Sequence, residues 1–101
     1  MMKIEILDGE DQITLVITGM LRKADGMRLG DEIDKIARKR PKQLVLDCAN
    51  VVAISLDSIP LLISALERSR IGKKNITMIG CNTVVERSLR GFDFERVGVL
   101  G

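Results

Sequence analysis

Histidine, tryptophan and tyrosine are absent from the 101 residues, and each absence removes a class of function. Without imidazole the chain lacks the commonest general base, the third partner of a serine-type triad and the usual ligand of most metal sites. The only aromatic side chains are Phe92 and Phe94, so Ile, Leu and Val must supply the buried area that offsets the lost conformational entropy of folding. No stretch approaches the roughly 20 apolar residues of a membrane helix, and the opening "MMKIEILDGE" lacks the layout of a signal peptide. Charge of one sign is also missing. Sixteen basic and fourteen acidic residues leave +2, and the short clusters "ARKRPK" and "RIGKK" carry no interleaved aromatics, so they read as solvated faces and not as a nucleic-acid surface. Neither G-x-G-x-x-G nor G-x-x-x-x-G-K-[ST] occurs, which argues against a nucleotide hydrolase, and no cofactor is implied.

The two cysteines, Cys48 and Cys81, each end a predicted strand and read as buried structural thiols, since two sulfurs without imidazole make a poor metal site. Free thiols without an export signal lead us to expect a cytoplasmic protein.

Aliphatic patterning is plentiful. At this length, and with 46% hydrophobic residues, the chain holds enough apolar side chains for one core, so residues 1–101 are expected to form one domain. "KIEIL" and "ITLVITG", separated by "DGEDQ", predict a β-hairpin turning at Asp8-Gly9. From Ala24 to Arg40, Leu29, Ile33, Ile36 and Ala37 recur at helical spacing until Pro41 stops the run. "QLVLDC" is continuously apolar, as expected of a central strand covered on both faces. A second helix carries Ile59, Leu62, Ile63 and Leu66 on one side and is closed by Gly72. After the strand "NITMIG", Thr83 and Glu86 have capping-box spacing at the start of a third helix whose buried stripe is Val85, Leu89 and Phe92. The order β-β-α-β-α-β-α predicts an α/β fold, a mixed sheet of about four strands with helices packed against it.

In such sheets, the loops after the carboxyl ends of strands are the usual working positions. The loop after the third strand, "CANVVAISLDS", contains two candidate caps for the second helix, Ser55 and Asp57. Pro60 is best placed in a first turn, where amides lack intrahelical partners, and this favours Asp57. Its carboxylate would also gain roughly 0.3–1 kcal/mol from the helix dipole. An Asp47–Asp57 acid/base pair is a weak alternative, because nothing in the sequence sets their separation.

Taken together, three segments resemble the STAS domain family, which includes bacterial anti-sigma-factor antagonists and the cytosolic tails of sulphate transporters. They are "TGMLRKADGMRLGDEI" with its Gly-x-Leu segment, "QLVLDCANVVAIS", and "ITMIGCNTVVERSLRGFDF". The family's regulatory motif is Asp-Ser-Ser-Gly-Leu-Gly, and its second serine is phosphorylated by a partner kinase that is also the anti-sigma factor. Counting without gaps from Asp47, the motif falls on Ser55 to Pro60, and Asp57 occupies the phosphoacceptor position. A two-residue slip instead aligns Asp57 with the motif's aspartate and Ser58 with its first serine, leaving Ile59 at the acceptor. The resemblance therefore leaves two roles open for Asp57, a fixed imitation of phosphoserine or a helix cap, with Ser58 as the nearest hydroxyl able to take phosphate. Arg22 stands where an acidic residue is frequent in the family, and a salt bridge from it or Lys23 would neutralise Asp57 if the loops adjoin.

By resemblance, the partner would be an anti-sigma factor or a related regulatory kinase protein. It would bind a surface containing Met20, Leu21, Arg22, Ser55, Leu56, Asp57, Ser58 and Ile59. The resemblance implies no catalytic residue, metal, nucleic acid or direct membrane insertion, and leaves a homodimer open. The alternative it offers is an accessory structural subunit of a transporter or signalling assembly.

Overall fold

The computed structural model describes residues 1–101. Two antiparallel strands open the chain, β1 (Lys3–Asp8) and β2 (Gln12–Leu21), and their turn is closed by the Gly9 amide donating to the Gln12 carbonyl at 2.8 Å. Helix α1 (Lys23–Ala37), strand β3 (Gln43–Ile54), helix α2 (Ile59–Ser69), strand β4 (Ile76–Ile79), helix α3 (Thr83–Gly91) and a two-residue strand β5 (Val99–Leu100) follow. The sheet has five strands in the order β1-β2-β3-β4-β5, with β2 to β5 parallel. The fold is thus mixed α/β, with one strand more than expected. A two-residue strand within "RVGVLG" leaves too short an apolar run to register in the sequence.

Strand alternation decides where the core lies. Ile13, Leu15 and Ile17 of β2, Leu44, Leu46 and Cys48 of β3, and Ile76 and Met78 of β4 are buried on one face, together with the apolar stripes of the three helices. The opposite face carries Thr14, Val16, Val45, Asp47, Thr77 and Ile79, all half-buried or exposed. The expectation that β3 is covered on both faces is therefore corrected: β3 is central, but the helices lie on one side only. No helix is long and apolar enough to cross a membrane.

Several expected ends move. Helix α1 stops at Ala37, three residues short of Arg40, whose φ of 51° takes the chain out of the helix before Pro41. Helix α2 is closed by Arg70 in the left-handed region, not by Gly72. Asn82, not Thr83, caps α3, accepting the Val85 amide at 2.9 Å. Phe92 stands just past that helix and is 37% exposed; Asp93, at φ 61°, reverses the chain and sends Phe94 into the core instead.

Candidate functional site

The carboxyl ends of β2 and β3 converge on the start of α2, and this is where the expected site residues gather. β3 is longer than its partner segment. Its register against β2 shifts between Asp47 and Asn50 and again between Val51 and Ala53, so two bulges rotate its final residues. Asp47 serves the first of them by accepting the Ala49 amide at 3.1 Å. It lies on the uncovered face of the sheet, whereas Asp57 lies in the turn before α2, so the two do not form an acid/base pair. Beyond the bulges, the Ser55 amide donates to the Leu21 carbonyl at 2.8 Å, which ties the end of β2 to the turn before α2.

That turn runs from Ser55 to Ser58. The Ser58 amide and hydroxyl both donate to the Ser55 carbonyl, at 3.1 and 2.6 Å, and Ser58 is the residue preceding the helix. Asp57 does not cap α2. Its carboxylate accepts the Ser55 hydroxyl at 2.6 Å and points outward, one residue ahead of the cap position. Helix α2 begins at Ile59, which puts the cap position on Ser58 and Pro60 in the first turn, and the Asp57 carboxylate is engaged by Ser55 instead.

Ser58 differs sharply from the expected accessible hydroxyl. It is 0% exposed, and α1 comes close enough that a methyl placed on Gly26 would lie 2.9 Å from the Ser58 Cβ. The Ser58 hydroxyl is turned onto the Ser55 carbonyl and has no exposed surface. Of the remaining expected contact residues, Leu21 and Ile59 are buried in the core, while Met20, Arg22, Leu56 and Asp57 are exposed and Ser55 is half-buried. The Arg22 guanidinium turns toward the Met20 sulfur at 3.5 Å, and neither Arg22 nor Lys23 forms an ion pair with Asp57. The anion at the mouth of α2 is consequently not neutralised from within the chain.

Sequence reasoning missed two exposed apolar residues beside this site. Asn82 donates from its side chain to the Val51 and Val52 carbonyls, at 3.3 and 3.2 Å, and so joins the start of α3 to the end of β3. Val52 and Val84, on either side of that joint, are 70% and 71% exposed. The available signal was Val84 beside Val85, since the helical stripe buries only the latter. The largest cavity, about 770 Å³, is at the opposite end of the sheet among Arg40, Lys42, Gln43 and Arg70.

Solved structures share this arrangement over nearly the whole chain. An anti-sigma factor antagonist from Mycobacterium paratuberculosis superposes with a TM-score of 0.82 at 15% identity, covering 99% of this chain and 85% of the other. The chain has the STAS fold. A serine-to-glutamate variant of RsbS from Moorella thermoacetica has the same fold, with a TM-score of 0.75 at 15% identity and coverage of 98% and 86%. So does the Bacillus cell fate determinant SpoIIAA in its phosphorylated form, with a TM-score of 0.70 at 5% identity and coverage of 100% and 91%. No protein-family model and no curated protein sequence matches the chain. On this STAS scaffold the turn Ser55–Ser58 is rigidly held by β2, β3 and α1, yet it presents outward only Leu56, Asp57 and part of Ser55.

Proposed function

We propose that the protein is a non-enzymatic regulatory binding protein that docks on an anti-sigma factor or a related regulatory kinase domain, with Asp57 as a permanent anion at the docking surface. The observation that carries the reading is the outward Asp57 carboxylate. It is fixed by the Ser55 hydroxyl and unpaired with any cation, at the start of α2 in the fold of the anti-sigma factor antagonists. An exposed anion next to exposed Leu56, with exposed Met20 and Val52 near the ends of β2 and β3, suits a partner surface that offers a cation among apolar side chains. Aspartate carries one negative charge where phosphoserine carries about 1.5 to 2, and it lacks the tetrahedral oxygens, so it presents a constant signal in place of a switched one. Among the solved neighbours are SpoIIAA in its phosphorylated form and an RsbS variant with a serine replaced by glutamate, and negative charge on those proteins is consistent with the reading.

Calorimetric titration against the kinase-like proteins of the same genome tests the proposal. At least one should bind, and Asp57→Ala and Asp57→Asn should each weaken that complex about tenfold, near 1.4 kcal/mol. Failure of every such protein to bind would end the proposal, and equal or tighter binding by both variants would remove Asp57 from it.

A further inference from the structure

The cysteine pair lies outside this docking reading. Asp47 of β3 is in register with Ile79, the last residue of β4, so Cys48 lies one residue further along β3 and Cys81 two residues past the end of β4. Neighbouring strands lie about 4.8 Å apart, so the two segments leave the sheet side by side, at a spacing comparable with the roughly 4.4–6.8 Å between Cα atoms that a disulfide spans. The strands also close on each other here. A methyl placed on Gly80, which has φ 77°, would lie 2.9 Å from the Cα of Ala49, so only glycine admits this approach. Both thiols are free; Cys48 is buried in the core and Cys81 is half-buried at the surface.

We propose that Cys48 and Cys81 are a peroxide-sensitive dithiol that closes to an intramolecular disulfide, with Cys81 as the attacking sulfur and Cys48 as the resolving one. The environment divides these roles. A hydrogen bond from Cys48 holds the Cys81 thiol below its ordinary value, against an opposing contribution from burial. Cys48 is held well above its ordinary value, first by Cys81 and then by burial. In the first step the Cys81 thiolate attacks one oxygen of hydrogen peroxide. The O–O bond breaks, hydroxide leaves and is protonated to water, and Cys81 becomes a sulfenic acid. That step also removes the Cys81 anion, one of the causes of the rise at Cys48. The Cys48 sulfur then attacks the Cys81 sulfur, and the S–O bond breaks. The hydroxyl departs with the Cys48 proton as a second water, and two electrons have passed from the sulfurs to the peroxide. The bridge would form next to Asn82 and the joint it makes with Val51 and Val52.

The test is mass spectrometry of the full chain after hydrogen peroxide treatment, followed by alkylation and digestion. The expected result is a monomer that loses two hydrogens and both free thiols, with one peptide pair joined through Cys48 and Cys81. In Cys48→Ala, dimedone should trap a sulfenic acid at Cys81; in Cys81→Ala, Cys48 should stay reduced. Disulfide-linked dimers, or wild-type Cys81 oxidised to sulfinic acid while Cys48 remains free for alkylation after unfolding, would overturn the proposal. The wild-type measurement decides this even where a variant folds poorly.

Discussion

Asp57 and Ser58 are neighbours in the chain with opposite surroundings. The first is exposed and bonded only to Ser55; the second is sealed beneath Gly26, its hydroxyl spent on the Ser55 carbonyl. Replacing Ser58 by Asp would bury a carboxylate beside a carbonyl and lose the hydroxyl donor, at a cost of about 3–5 kcal/mol. Asp57→Ala should change stability by no more than about 0.5 kcal/mol, as expected of a surface side chain that does not cap a helix. Urea unfolding followed by far-ultraviolet circular dichroism separates the two outcomes; the chain has no tryptophan or tyrosine to report by fluorescence. The sequence marked the stretch but did not reveal which of its side chains faces out, because the two bulges in β3 reset the alternation before the turn begins.

At the scale of elements, the carboxyl end of the sheet is held by side chains that link one element to the next. Asn82 accepts from Val85 at the start of α3 and donates to β3, so Asn82→Ala should cost about 1–2 kcal/mol. Thr83→Ala, at a position that no longer serves as a cap, should cost less than about 0.5 kcal/mol. Amide hydrogen exchange at Val85 is the direct measurement, and it should speed up only in the first variant. Helix and strand identities were legible here, since the period-2 and helical spacings of Ile13–Ile17, Leu29–Ile36 and Ile59–Leu66 all bury as patterned. The caps were less so. "CNT" offers two capping residues in succession, and the sequence cannot say which side chain the end of β3 will engage.

For the molecule as a whole, one aliphatic interior beneath a single sheet face must hold the fold, and its only fully buried aromatic is Phe94. Gly98 makes room for that ring, since a methyl there would sit 3.0 Å from the Phe94 Cε2. Phe94→Ala should remove about 3–5 kcal/mol, a large share of the roughly 5–15 kcal/mol expected of a domain, and Phe92→Ala at most about 1 kcal/mol. Thermal melts of the two variants check this ordering. The layered α/β plan was readable from the order of patterned segments. That the second sheet face stays uncovered was not, because Val45 and Val16 give those strands the apolar continuity of buried ones while remaining only half-buried.

The swollen end of β3 means that the chain's own count of residues does not measure position in space. Each bulge takes up one extra residue of β3, so removing one residue between Cys48 and Val52 would straighten a bulge while the Ser55 bond to Leu21 and the buried stripe of α2 keep the following turn in place. In this architecture a residue can be lost within the end of β3 while Asp57 and Ser58 keep their opposite surroundings.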